Sequence, residues 1–212
     1  MGRPAILLAD DHTLVVEAFK RLLEPEFDVI GTVSDGRALL AAVPESKPDV
    51  IILDIGMPEL NGMQAGAEIK KVSPRTKLIV LTMNEDPEIA QEALRHWASG
   101  YLLKKSAGAE LITAIREVLR GRPYVTPKMA RRLQDEFVRD PRPDRKRVLT
   151  ARQREVLKLL AEGWTMKEVA EALHVTPRTI AFHKYRIMEE FGLKTNSDVV
   201  KFAIREKVIA AA

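Results

Sequence analysis

Two runs in this chain, "VIIL" at 50–53 and "LIVL" at 78–81, are apolar at every position instead of alternating. A strand with one wet face alternates, so a run that never does belongs to a strand covered on both faces. Such strands occur in parallel sheets sandwiched between helices. Shorter apolar runs at Ala5–Ala9, Phe27–Ile30 and Tyr101–Leu103 complete a set of five. Helix-period stretches fall between and after them, at Leu14–Leu23, Ala38–Val43, Met63–Val72, Ile89–Trp97 and Leu111–Leu119. Five β-α units in this order predict an α/β doubly wound, five-stranded parallel sheet. Ligands of such sheets bind outside the carboxyl ends of the strands, where the strand order reverses.

The residues at those ends are therefore the first candidates for function. The first strand stops on Asp10 and Asp11, the third on Asp54, the fourth on Thr82 and the fifth on Lys104. Taken singly, each has an ordinary explanation: an Asp caps the next helix, a Thr packs, a Lys points at water. Together they put three carboxylates, a hydroxyl and an ammonium on one rim of one sheet. Clustered carboxylates repel unless a cation holds them, and Mg²⁺ suits a few carboxylates while keeping several waters. Beside such a cation one carboxylate can attack a phosphoryl group, with a lysine and a hydroxyl facing the transferred oxygens. A pure metal site would leave Lys104 and Thr82 idle.

The first 120 or so residues, read on "ADDH", "LDIGMPELNG", "VLTM" and "SGYLLK", resemble the receiver domain of two-component response regulators, which has a flavodoxin-like fold. The resemblance implies that Asp54 accepts a phosphoryl group from a histidine kinase. It makes Asp10, Asp11, Asp54 and the carbonyl of Gly56 the Mg²⁺ site, and Thr82 and Lys104 the phosphate contacts. Tyr101 is implied to move with Thr82. Two positions depart from the common pattern: Lys105 stands where many receivers have proline, and Trp97 stands where a small residue is usual. Trp97 either fills a gap in the core or lies on an exposed dimer face.

Charge divides the chain as well. Residues 1–120 carry 14 Lys and Arg against 18 Asp and Glu, whereas residues 121–212 carry 20 against 12. A basic back half is a solvated surface or the footprint of a polyanion. With no cysteine, neither disulfides nor thiolate metal sites are available. No apolar stretch reaches the ~18 residues of a membrane span, so a cytoplasmic protein without membrane contact is expected.

A receiver over 1–121 is followed by a linker over 122–147 with a helix near 127–137. The stretch "RDPRPDRKRV" is too charged and proline-rich to build a core, and it serves as a spacer or as a basic arm. Residues 148–212 then read as four short helices. Thr150, Thr165 and Thr176 are caps, Pro177 takes the first position of the third helix, and Gly163 and Gly192 close the first and third. Two helices joined by a tight turn are a helix-turn-helix. At 100° per residue, Ile180, Ile187 and Phe191 share the core stripe of the third helix, opposite Arg178, Phe182, Tyr185, Arg186 and Glu189. Aromatics on the solvent side of a basic helix suit base edges, although docking on another protein surface fits them too.

Residues 148–209 resemble the LuxR-type helix-turn-helix, and the whole arrangement resembles response regulators of the NarL/FixJ type. That resemblance implies an operator in double-stranded DNA, phosphate contacts at or near Lys167, Thr179, His183 and Lys184, and base contacts by Ala181, Phe182 and Tyr185. It also implies a homodimer, formed through the fourth helix, when phosphorylated or DNA-bound. The function expected is a transcriptional regulator switched at Asp54, with no catalysis beyond its own phosphorylation and dephosphorylation. The alternatives are a regulator whose receiver does not switch and an aspartyl-phosphate phosphohydrolase. Gly56 stands where the phosphohydrolases of the haloacid dehalogenase type carry their second Asp.

Overall fold

The computed structural model describes residues 2–58, 60–139 and 149–209. The chain divides into two compact units, with the boundary between residues 141 and 142. The basic stretch at 140–148 lies outside the described residues, so the spacer and arm readings of it stay as expectations.

The first unit runs β1 (Ala5–Ala9), α1 (Thr13–Leu23), β2 (Asp28–Val33), α2 (Gly36–Ser46), β3 (Val50–Leu53) and α3 (Gly62–Val72). It continues through β4 (Lys77–Thr82), α4 (Pro87–His96), β5 (Gly100–Leu103), α5 (Ala107–Leu119), β6 (Tyr124–Val125) and α6 (Pro127–Arg139). The strands pair in the order β2-β1-β3-β4-β5-β6, every neighbouring pair parallel. The unbroken apolar runs of β3 and β4 lie in the middle and are buried, as strands covered on both faces must be. Edge strand β2, "DVIGTV", alternates exposed and half-buried residues instead. Ile6, Leu8, Val50, Ile52, Ile79 and Leu81 of the sheet pack with Leu111, Ile115 and Val118 of α5 into one core.

Local chemistry sets the helix starts. Asp35 accepts from the amide of Ala38, Asn61 from that of Gln64, and Asp86 from that of Glu88, with Pro87 at the first position of α4. The sheet carries one strand beyond the five expected. β6 is two residues long, too short to leave an apolar run in the sequence, and it pairs Tyr124 with Gly100 and Val125 with Tyr101.

The second unit holds α7 (Ala151–Ala161), α8 (Met166–Ala172), α9 (Pro177–Phe191) and α10 (Asn196–Arg205). Thr150, Thr165 and Thr195 each close a reciprocal capping box, and Thr176 caps α9. Gly192 ends α9 at φ 68°, a left-handed turn that glycine adopts without steric cost. Val156, Val169, Ala170 and Ile180 join α7, α8 and α9, while Leu157, Ile187, Val199 and Phe202 seat α10 on α7 and α9.

Candidate functional site

Chain order reverses between β1 and β3, and both end on acids. Register does the assembling: Ala9 pairs with Leu53, and the amide of Asp54 donates to the carbonyl of Ala9 at 2.8 Å. Asp10 and Asp54 therefore leave adjacent strands side by side. Thr82 pairs with Leu103 in the same way, and the amide of Lys104 donates to the carbonyl of Thr82 at 2.8 Å.

Lys104 reaches back across this rim. Its Nζ lies 2.7 Å from Asp10 Oδ2 and 2.8 Å from Asp54 Oδ2, with all three side chains nearly buried. The other oxygen of Asp54 accepts the amide of Gly56 at 2.8 Å. Burial raises the pKa of Asp54 above the ordinary carboxylate value, and the bonds from Lys104 and Gly56 offset only part of that. For Lys104 burial acts to lower the pKa, but the hydrogen bonds and charges of Asp10 and Asp54 outweigh it and hold the ammonium above its usual value. In this arrangement the cation that keeps the carboxylates together is Lys104.

Asp11 is more open than Asp10 and shares His12 with it, whose Nδ1 lies 3.0 Å from Asp11 Oδ1 and 3.1 Å from Asp10 Oδ1. Ligand atoms of Asp10, Asp11, His12 and Asp54 all fall within 4.8 Å of one another. Three carboxylates so close, with solvent access through Asp11, fit a hard divalent ion that retains water. His12 was not anticipated; its only signal was its place directly after the aspartate pair.

Thr82 and Tyr101 are both buried, at 3% and 0% exposure. The Thr82 hydroxyl accepts the amide of Asn84 at 3.0 Å, and the Tyr101 hydroxyl donates to the carbonyl of Asn84 at 3.2 Å. Both side chains thus hold the same loop between β4 and α4. Burial, reinforced by the charges of Asp86 and Asp54, keeps the Tyr101 phenol well above its ordinary pKa and so neutral. Trp97 is in the core, 5% exposed. A Cβ on Gly66 of α3 would lie 2.5 Å from its ring, so the bare backbone at 66 makes room for the indole.

In the second unit, Lys167 on α8 and Arg178 and Tyr185 on α9 are exposed, Tyr185 at 60%. Ala181, Phe182, Lys184 and Arg186 are half-buried. The Arg186 guanidinium lies 5.9 Å from the Phe182 ring and the Lys184 ammonium 5.9 Å from the Tyr185 ring. Thr179 and His183, which the resemblance put at or near the phosphate backbone, are buried in the free chain, at 2% and 0% exposure. The reasons are local. Thr179 is the third residue of α9, and its amide and hydroxyl bond the Thr176 cap at 3.2 and 3.0 Å. His183 lies three residues after Ile180 and four before Ile187, which is the spacing of the buried stripe.

Comparison with known proteins agrees with both halves. Residues 6–116 match the response regulator receiver domain, and residues 147–203 match the bacterial regulatory proteins of the luxR family. The oxygen regulatory protein NreC of Staphylococcus carnosus is 37% identical over 96% of this chain and 98% of its own length. NreC of Staphylococcus aureus is 36% identical over the same shares. Among solved structures, RcsB from Salmonella enterica serovar Typhimurium, bound to promoter P1flhDC in the presence of phosphomimetic BeF3⁻, superposes with a TM-score of 0.64. It is 28% identical and the match covers 95% of this chain and 98% of that one. A LuxR-family two-component response regulator from Aurantimonas sp. SI85-9A1 gives a TM-score of 0.62 at 31% identity, covering 65% of this chain and 99% of its own. The chain belongs to the two-component response regulators of the NarL/FixJ type, DNA-binding proteins in which a receiver is followed by a LuxR-type helix-turn-helix.

Proposed function

We propose that this regulator is switched by transfer of a phosphoryl group from a histidine kinase to Asp54, with Mg²⁺ held by Asp10, Asp11, Asp54 and the carbonyl of Gly56. The observation that carries the proposal is a buried Asp54 paired with Lys104 and set beside Asp10 and Asp11 at the reversal of strand order. Mg²⁺, when bound, neutralises carboxylate charge that would otherwise repel the incoming phosphoryl group. Asp54 supplies the attacking oxygen: its bond to phosphorus forms as the phosphorus–nitrogen bond of the donor phosphohistidine breaks, and that bond's electron pair returns to the ring, which leaves as neutral imidazole when its other nitrogen already carries a proton. Lys104 then faces a group of charge roughly −1.5 to −2 in place of a single carboxylate. Thr82 is the hydroxyl that follows the new charge, and Tyr101 is coupled to it through Asn84. The chain's own chemistry stops at gaining and losing this group.

The output is recognition of an operator by a homodimer. Lys167, Arg178 and Lys184 face phosphates, while Ala181, Phe182, Tyr185 and Arg186 face the major groove. Thr179 and His183 support α9 from inside. Among the described residues no helix is long and apolar enough to cross a membrane.

Incubation with acetyl phosphate and Mg²⁺, followed by intact mass measurement, tests the acceptor. The chain should gain one phosphoryl group, Asp54→Asn should gain none, and omission of Mg²⁺ should suppress the gain. A phosphoryl group taken up by Asp54→Asn would overturn the assignment.

A further inference from the structure

Residues 83–86, between β4 and α4, are gripped from two sides. On one side the Thr82 hydroxyl holds the amide of Asn84 and the Tyr101 hydroxyl holds its carbonyl. On the other stands α6. Lys128 Nζ lies 2.7 Å from the Glu85 carboxylate, Arg132 Nη2 lies 3.1 Å from it, and Arg132 Nη1 donates to the Glu85 backbone carbonyl at 2.9 Å. Lys105 adds a third, longer ion pair at 3.8 Å. The hydrogen bond from Lys128 holds the Glu85 carboxyl below its ordinary pKa, so it stays charged in the clasp.

The start of α6 is tied to β5, the strand that carries Tyr101. The amide of Thr126 donates to the carbonyl of Tyr101 at 3.0 Å, and the Thr126 hydroxyl accepts the amide of Leu103 at 3.1 Å. Met129 is fully buried where α6 packs on α4. Loop, strand and helix form a closed ring of contacts that includes Thr82 and Tyr101. In chain order α6 is the last described element before the second unit.

We propose that α6 is the receiver's output element and that Glu85 is the clasp that reports the state of Asp54 to it. The proposal rests on Asp54 being the phosphoryl acceptor. A Thr82 hydroxyl drawn toward a phosphoryl oxygen either pulls Asn84 along or gives up its amide. In both cases Glu85, the next residue, shifts against Lys128 and Arg132. The Arg132 bond to the Glu85 backbone carbonyl makes the clasp sensitive to the path of the main chain and not only to the rotamer of Glu85. Exposed ion pairs are individually weak, and the clasp is only partly buried, so the effect is a graded loosening of α6.

Hydrogen–deuterium exchange of the α6 amides in the full-length chain, with and without acetyl phosphate and Mg²⁺, tests the proposal, with intact mass read in parallel. Phosphorylation of the wild type should speed exchange in α6 by roughly 1.5- to fivefold, the range expected for losing a partly exposed ion pair. Glu85→Gln should show the faster exchange without phosphorylation and change little on receiving it. Lys128→Gln combined with Arg132→Gln, which leaves the loop sequence intact, should do the same. A phosphorylated chain whose α6 exchanges as slowly as before, or variants with wild-type protection, would overturn this proposal alone. A chain that takes up no phosphoryl group would instead overturn the assignment of Asp54, and the switch with it.

Discussion

Lys104→Met is the sharpest test of how the carboxylate cluster is held. Methionine preserves the length and most of the volume of the lysine stem but removes the ammonium that contacts Asp10 Oδ2 at 2.7 Å and Asp54 Oδ2 at 2.8 Å. Removing one partner of a buried ion pair costs about 3–5 kcal/mol, because the remaining charge keeps its desolvation penalty without its attraction. Here two carboxylates are left, and because burial raises the pKa of Asp54 while Lys104 acts to lower it, losing Lys104 lets Asp54 take up a proton more readily as pH falls. A carboxyl whose pKa is higher folded than unfolded favours the folded state below its unfolded value of 3.8 and loses that contribution as pH rises through the folded value. The deficit of Lys104→Met should therefore be largest at neutral pH and above, and shrink on acidification. Added Mg²⁺ should shrink it too, since a ligand of the folded state alone stabilises by mass action. The chain has two tryptophans, Trp97 in the first unit and Trp164 in the second, so a Trp164→Phe parent makes fluorescence report on the receiver alone. Urea denaturation of that parent and its Lys104→Met derivative, in chelator and in Mg²⁺ across pH, gives the comparison. A difference under about 0.5 kcal/mol in chelator at neutral pH, well short of the cost of a broken buried pair, or a deficit that grows on acidification, would refute the reasoning.

Gly66→Ala should destabilise by about 1–3 kcal/mol through overpacking against the Trp97 ring, although alanine is ordinarily the better helix former by about 1 kcal/mol. Urea melts should show most of that loss recovered in the Trp97→Leu background, and an equal loss in both backgrounds would exclude the ring as its cause. The Glu85 carboxyl carbon, followed by NMR, should titrate below the ordinary 4.5 and return toward it in Lys128→Gln; an unmoved midpoint would show that Lys128 does not hold it. On DNA, Lys167→Ala should weaken specific and scrambled duplexes alike and reduce the salt slope by roughly 0.9. Tyr185→Ala should leave the slope nearly unchanged and cost about 1–3 kcal/mol of preference for the specific site. Equal loss on both duplexes would move Tyr185 off the bases.

The sequence by itself determined the periodic elements and the caps that open α7, α8 and α9. Unbroken apolar runs marked β3 and β4 as central strands, because only a strand covered on both faces tolerates no polar residue. Thr150, Thr165 and Thr176 marked the starts of α7, α8 and α9 because a cap is satisfied within three residues of itself. Even the cluster at the strand ends was legible, since the reversal of order in a doubly wound sheet places those ends together. What lies between distant segments was not. That Lys104 itself bridges Asp10 and Asp54 depends on the register of four strands. A two-residue β6 left no periodic trace, and although periodicity marked a helix near 127–137, nothing in it showed that Glu85 would clasp that helix. His183 shows the limit from the other side: the resemblance implied a place at or near the phosphate backbone, and only the packed structure shows that its spacing from Ile180 and Ile187 buries it. Caps and periodicity are local and are written in neighbouring residues. Register, pairing and burial are settled only when remote parts of the chain meet, because each partner's environment is supplied by the other.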